Sequence, residues 1–169
     1  MALDALRSDL DAAEKAAAAV DDRLRVLLAL SAQGGRILAA GDKTEAQVII
    51  EMAGAENAVT GFEGYKPLTD EAVISAAPDV ILMIDRGDGS IDLDAERAEL
   101  LALPAIASTP AGKAGRFIRM NGLYLLGFGP RTGKAALDLN RALYGDGGWS
   151  PCRIKGRTRA SGNIWAAVW

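Results

Sequence analysis

Hydrophobic positions along the chain follow two patterns, one with helical spacing and one in short continuous apolar runs. Leu3, Leu6 and Leu10 recur at helical spacing with charged residues between them, which predicts a first helix over residues 3–20. Residues 25–32 (RVLLALSA) form an apolar run of strand length, as expected for a buried parallel strand. The same patterns predict further strands at 57–59, 80–84 and 116–120, and further helices at 43–53, 70–77, 93–103 and 132–143.

Polar residues next to the predicted helices supply the boundary signals. Asp42 and Glu45 are spaced as an N-cap and its reciprocal partner, and Gly54 stands where that helix should stop. Thr69 is placed to cap the next helix, with two acidic residues in its first turn. Loops or turns are expected at 61–67, 86–90, 109–112 and 121–122.

The alternation of strands and helices predicts an α/β fold with a mostly parallel sheet flanked by helices. Ligands of such sheets bind outside the carboxyl ends of the strands. Those ends carry Gln33-Gly34, Asp85-Arg86 and the loop before Arg131. We divide the chain into a first helix (1–22), an α/β lobe (23–145) and a tail (146–169).

The tail differs in composition from the lobe. All three tryptophans and the only cysteine, Cys152, follow residue 145, and the tail holds four basic residues and one acidic residue. It shows no clear hydrophobic period. We interpret it as an appendage to the core, from a shifted reading frame or added sequence. The alternative is a basic, tryptophan-bearing interaction tail.

Composition excludes several classes of function. The chain contains no histidine, the commonest metal ligand and general base, so we expect no metal site and no catalytic residues. One cysteine allows no intrachain disulfide, and a net charge of −3 gives no case for nucleic-acid binding. No apolar run is long enough to span a membrane, and the acidic N-terminus is not a signal peptide.

Two loops resemble nucleotide or metal sites but fail on spacing. In the segment 128–135 a phenylalanine stands where a phosphate-binding loop needs its first glycine, and Ala135 stands where it needs a hydroxyl. The segment 85–92 has a calcium-loop composition, but three of the ligand positions are occupied by non-ligating residues. We expect neither phosphate hydrolysis nor calcium binding.

The segment 125–132 (LLGFGPRT) is the strongest site candidate. Its two glycines and proline fix the backbone path, and Arg131 follows at the start of a helix. A guanidinium beside free helix N–H groups suits an anion. The alternative is a tight loop with a structural arginine. Tyr65, beside Lys66 in a predicted loop, is a candidate contact for a flat anionic ligand, or packs its loop onto the body.

Several segments together resemble one protein family. They are RVLLALSAQGGRILAAGDKT (25–44), AGAENAV (53–59), GYKPLTDEAV (64–73), APDVILMI (77–84), PAIASTPAGKAGRF (104–117) and NGLYLLGFGPRT (121–132). In order and spacing they resemble the haemin-binding proteins of bacterial ABC haem importers, relatives of the siderophore- and cobalamin-binding proteins.

The resemblance implies one Rossmann-like lobe of a two-lobed, helix-linked binding protein, with the ligand clamped between the lobes. The chain resembles the connecting helix and the C-terminal lobe. In many members a tyrosine of the other lobe ligates the haem iron. The resemblance implies that Arg131 faces the haem or its tyrosinate ligand, with Gln33, Gly34, Tyr65 and Lys66 as weaker candidates for the rim.

The expected function is therefore haem binding in the periplasm and delivery to an ABC permease in the inner membrane. Haem is the transported ligand, no catalytic cofactor is implied, and a monomer is expected. The resemblance also implies an acidic surface that docks on the permease. Glu45 or Glu63 would belong to this surface, and the sequence does not choose between them. The alternatives are an iron-siderophore or cobalamin carrier of the same fold, an inactive fragment, and a small α/β enzyme.

Overall fold

A computed structural model describes residues 2–85 and 93–145 of the chain. The predictions made for the turn at 86–90, for most of the calcium-like loop and for the tail lie outside these residues. The strands are β1 Arg25–Ser31, β2 Leu38–Ala40, β3 Glu56–Asn57, β4 Tyr65–Pro67, β5 Val80–Asp85 and β6 Phe117–Asn121. The helices are α1 Ala2–Ala18, α2 Glu45–Met52, α3 Asp70–Ala76, α4 Leu93–Ala102, α5 Pro104–Ala107, α6 Pro110–Ala114, α7 Gly122–Leu126 and α8 Thr132–Tyr144, with a short 3-10 helix at Gln33–Gly35.

The strands form one mixed sheet in the order β4-β2-β1-β5-β6, with β3 also paired to β1. The pairs β1–β3, β1–β5 and β5–β6 are parallel, whereas β2 joins β1 and β4 by antiparallel pairing. The predicted α/β fold with a mostly parallel, helix-flanked sheet is confirmed. The antiparallel pairs lie at one side of the sheet only.

Helices cover both faces of the sheet, and their apolar sides pack against it. Leu28, Leu82 and Ile118 lie in the core formed with α1, α2, α7 and α8. Their neighbours Leu27 and Ile81 lie in a second core, formed with helices α3 to α6. Burial on both faces explains why the central strands read as continuous apolar runs and not as alternating patterns.

The predicted cap of α2 is wrong. The helix begins two residues later than Asp42 suggests, with Thr44 as N-cap accepting a hydrogen bond from the Gln47 N–H at 3.1 Å. The Asp42 carboxylate instead accepts from the Gly61 N–H at 2.8 Å, which ties two loops together. Threonine and aspartate are comparable caps, so tertiary contacts decide between them. The predicted Thr69 cap of α3 is confirmed.

Three predicted loops contain regular structure. Part of the loop at 61–67 is the edge strand β4, paired with β2, which the sequence did not predict. Thr109 accepts from the Gly112 N–H and begins α6, and Asn121 accepts from the Tyr124 N–H and begins α7. The residues that mark turns also cap helices, and three-residue strands carry too little periodicity to be recognised.

Helix α8 is in close contact with α1 near its start and with the backbone around residues 24 and 54 at its end. A Cβ atom on Gly133 would lie 2.5 Å from the backbone nitrogen of Leu10, so only glycine permits this approach. At the other end of α8, the Tyr144 hydroxyl accepts from the Leu24 N–H and donates to the Gly54 carbonyl oxygen, both at 2.9 Å. These contacts fix the position of α8 at both ends.

We expect Gly133→Ala to lower the free energy of unfolding by about 1–3 kcal/mol, because overpacking against a backbone cannot be relieved by a rotamer change. Urea denaturation measures the effect. Gly129→Ala is the matched control, since its Cβ would meet no atom closer than 3.9 Å. Equal stability of the two variants would contradict the close helix contact.

Candidate ligand-binding site at the carboxyl edge of the sheet

Three neighbouring parallel strands end at the same edge of the sheet. Asp85 at the end of β5 pairs in register with Asn121 at the end of β6, and the 3-10 helix holding Gln33 and Gly34 follows β1. Helix α7 begins directly at this edge. Gly122 allows it, because a Cβ there would lie 2.6 Å from the Cγ2 of Ile84. This is the edge at which such sheets bind ligands.

Helix α7 presents one apolar side chain to the core and another to solvent. Leu125 is fully buried in the core shared with α8, whereas the side chain of Leu123 is 81% exposed. Exposed apolar side chains beside a candidate site are typical of ligand contacts.

The loop from α7 to α8 holds a strained residue. Phe128 has a φ of +31°, an unfavourable backbone conformation for a residue with a side chain, and it is 43% exposed. Strain of this kind costs of order 1–3 kcal/mol and is concentrated at functional sites. The loop closes where Thr132 donates from its hydroxyl to the Gly129 carbonyl oxygen at 2.8 Å.

Arg131 occupies the N-cap position of α8, as the sequence analysis placed it, and its side chain makes no capping hydrogen bond. Its guanidinium carbon lies 5.5 Å from the centre of the Tyr124 ring, which is within cation–π distance. The Tyr124 hydroxyl donates to Oδ2 of Asp138 at 2.7 Å, and Arg141 lies 3.6 Å from Oδ1 of the same carboxylate. Asp138 is only 8% exposed.

Tyr124 was missed by the sequence analysis. It lies seven residues before Arg131 and fourteen before Asp138. No motif links the three positions, because the contact is made between α7 and α8 after the chain has turned between them. A signal was present in the Asn121 cap, which would have placed residues 122–126 in a helix packed on the predicted helix that follows.

The structure does not bring Tyr65 and Lys66 together with Arg131. They lie on β4, the strand farthest from β6, whereas Arg131 follows helix α7, which β6 leads into. The Tyr65 hydroxyl donates to Glu45 at 3.3 Å, and the Lys66 ammonium lies 5.4 Å from the centre of the Phe62 ring. Lys66 also lines an open groove of about 430 Å³ beside α3.

Two further classes of feature are not found in the described part of the chain. No group of three or more histidine, cysteine or acidic residues is arranged to hold a metal ion. Within the same residues, no helix is both long enough and apolar enough to cross a membrane.

A model of the family described as "Periplasmic binding protein" matches residues 2–122. The chain belongs to the periplasmic binding protein family. It is similar to the periplasmic heme-binding protein BhuT, solved with two hemes, at 43% identity and a TM-score of 0.76, covering 84% of this chain and 53% of BhuT. The resemblance to haemin-binding proteins inferred from the sequence is confirmed.

Two further solved relatives are similar over the same region. The periplasmic heme-binding protein RhuT from Roseiflexus sp. RS-1 has 37% identity, a TM-score of 0.76, and coverage of 85% of this chain and 54% of RhuT. A periplasmic heme-binding protein from Pseudomonas aeruginosa has 35% identity, a TM-score of 0.67, and coverage of 83% and 50%. The chain spans about half the length of these relatives. No curated protein gives a significant match.

All three tyrosines of the chain have a raised pKa. Burial is the main cause in each case. Glu45 adds to the shift of the Tyr65 pKa, and the hydrogen bond to Asp138 adds to that of Tyr124. A raised pKa in the folded state means that the unfolded chain loses its tyrosine protons first as the pH rises.

We therefore expect the stability to be constant with respect to these groups below pH about 10 and to fall as the pH rises above it. Tyrosinate absorbance should appear only above the ordinary pKa while the protein remains folded. Replacing all but one tyrosine with phenylalanine would assign each step. A tyrosine that titrates at its ordinary value in the folded protein would contradict the buried hydroxyl contacts.

Proposed function

We propose that this chain is the C-terminal lobe of a substrate-binding protein that binds haem and delivers it to an ABC permease in the inner membrane. The observation that carries the proposal is the arrangement at the carboxyl edge, where α7 and the loop after it carry two exposed apolar side chains, Leu123 and Phe128, and lead directly to Arg131 at the N-cap of α8. The solved relatives support it, because three of them are periplasmic heme-binding proteins.

The arrangement fits the chemistry of haem. Haem is a flat apolar macrocycle with anionic propionates and an iron that an anionic phenolate can ligate. Arg131 would form a charge-assisted hydrogen bond to a propionate or to a phenolate ligand. Leu123 and Phe128 would contact the macrocycle and remove apolar area from water. Gln33 and Gly34, on the same edge, would form the rim.

Tyr65 and Lys66 belong to a different surface of the lobe. Because they lie at the opposite sheet edge, we assign them to the outer rim and not to the ligand contact. Glu45 and Glu63, the candidate permease contacts, are near them, and each has a partner: Glu45 accepts from Tyr65, and Glu63 pairs with Lys43. We propose that this side of β4, which carries both acidic and basic side chains, faces the permease.

The family consists of substrate-binding proteins, and we propose no reaction. The site would act in the periplasm by holding its ligand and presenting it to the transporter, as a monomer. Haem is the cargo and not a cofactor. Ferric siderophores and cobalamin are the alternative cargoes of the same fold, and titration with each of them tests these alternatives directly.

Haemin titration followed by the Soret band tests the role of Arg131. We expect a saturable shift with the wild-type chain and affinity weaker by about tenfold or more in Arg131→Ala, because a hydrogen bond to a charged group contributes about 1.5–3 kcal/mol. Lys113→Ala is the control, since it removes the same charge from the last turn of α6.

Two results would contradict this proposal. The absence of any spectral shift at micromolar haemin would remove haem binding from this chain, although its membership of the family would stand. Equal affinity of Arg131→Ala and Lys113→Ala would show that the arginine is not a ligand contact. The same titration gives the number of haemins bound per chain at saturation, which can be compared with the two hemes in the BhuT structure.

We expect Leu123→Ser to weaken haemin binding several-fold with little change in thermal stability, because this leucine is 81% exposed and contributes little to the core. Ile74→Ser is the matched control, since Ile74 is 51% exposed on α3, on the other face of the sheet. Haemin affinity and thermal melting are measured for both variants. Similar affinities would place the ligand elsewhere on the lobe.

A further inference from the structure

We propose that Tyr124 and Asp138 are positioning residues that hold the guanidinium of Arg131 in a fixed orientation and leave its N–H groups available to an anionic ligand. This inference rests on the proposed function, because it assigns the orientation of the cation in that same site. It concerns side chains on two helices, α7 and α8, which the loop containing Phe128 connects.

The three side chains form a continuous chain of contacts from the core to the surface. Asp138 is buried, and its Oδ2 accepts the Tyr124 hydroxyl at 2.7 Å. The half-buried ring of Tyr124 then lies under the exposed guanidinium of Arg131, 5.5 Å from ring centre to guanidinium carbon. The hydrogen bond holds the ring at its hydroxyl end, and the Asn121 cap holds the backbone N–H of Tyr124.

The partners of Asp138 explain why its charge can be buried. A buried carboxylate needs hydrogen bonds or cations on its oxygens. Tyr124 occupies Oδ2 and Arg141 lies 3.6 Å from Oδ1. Burial and the hydrogen bond to Asp138 raise the pKa of Tyr124, so the hydroxyl stays protonated and remains a donor at neutral pH.

Arg131 itself is not neutralised by this arrangement. Within the described part of the chain its side chain forms no ion pair, and its contact is with the face of the ring. A contact with the face of the ring uses no hydrogen-bond acceptor, so the N–H donors of the guanidinium remain available to a ligand. An exposed arginine without such a contact would sample many rotamers.

A double-mutant cycle in haemin affinity tests the inference. We expect Tyr124→Leu to weaken binding several-fold in the wild-type background and to have no further effect in the Arg131→Ala background. Tyr124→Phe, which keeps the ring and loses the hydrogen bond to Asp138, should give an affinity between those of the wild-type chain and Tyr124→Leu, and an affinity equal to wild type would overturn the role of Asp138. Additive losses in the double variant would show that Tyr124 acts independently of Arg131 and would overturn the proposal.

A ligand-free measurement keeps the inference testable if this chain binds no haemin. The ring current of Tyr124 should shift the side-chain NMR signals of Arg131, and the shift should disappear in Tyr124→Leu and be reduced but retained in Tyr124→Phe. Unchanged Arg131 signals in Tyr124→Leu would overturn the positioning role. Failure of haemin binding alone, with the expected NMR result, would remove the proposed ligand and leave the positioning intact.

Tyr144→Phe is the structural control for both measurements. Its hydroxyl joins α8 to two backbone groups at the other end of the helix. We expect it to lower the melting temperature without shifting the Arg131 signals and without energetic coupling to Arg131. Coupling as large as that of Tyr124 would mean that any loss of α8 stability reaches the site, and would contradict a specific role for the ring.

Discussion

The position of α8 against α1 determines the geometry of the rest of the site. The two helices approach so closely that Gly133 faces the backbone of Leu10, and Tyr144 and Asn140 join the other end of α8 to the loops around residues 24 and 53. Arg131 and Asp138 both belong to this helix or its cap. A shift of α8 would therefore move the cation and its buried anchor together.

The sheet supplies the second constraint. Because β1, β5 and β6 are parallel and adjacent, their carboxyl ends lie side by side, and the chain leaving β6 enters α7 without an intervening loop. The strands are buried on both faces and tolerate little change. Beyond the strand ends the chain is less constrained: Leu123 is exposed, and Phe128 is exposed and has a positive φ.

The sequence predicted those parts of the fold that depend on local pattern. Continuous apolar runs predicted β1 and β5, and the Thr69 cap predicted the start of α3, because each signal lies within a few residues. The position of Arg131 at the start of α8 could also be predicted, because it depends on a local signal. The order of the strands depends on contacts between distant segments, so the sequence alone did not show that Tyr65 lies on the strand farthest from β6. The sequence did not point to Tyr124 for the same reason, because its contacts with Arg131 and Asp138 form only where α7 packs on α8.

Placing a tyrosine between the arginine and the buried carboxylate has a clear energetic consequence. A direct pair between Arg131 and Asp138 would neutralise both groups, and an anionic ligand would have to break a charged hydrogen bond of about 1.5–3 kcal/mol to bind. Stacking on a ring at the surface contributes about 0.5–1 kcal/mol and need not be broken, because the ligand approaches the guanidinium edge. Asp138 retains its own partners in Tyr124 and Arg141. In the proposed site the arginine is thus oriented by the core without forming an ion pair with it, and its charge stays available to an anionic ligand.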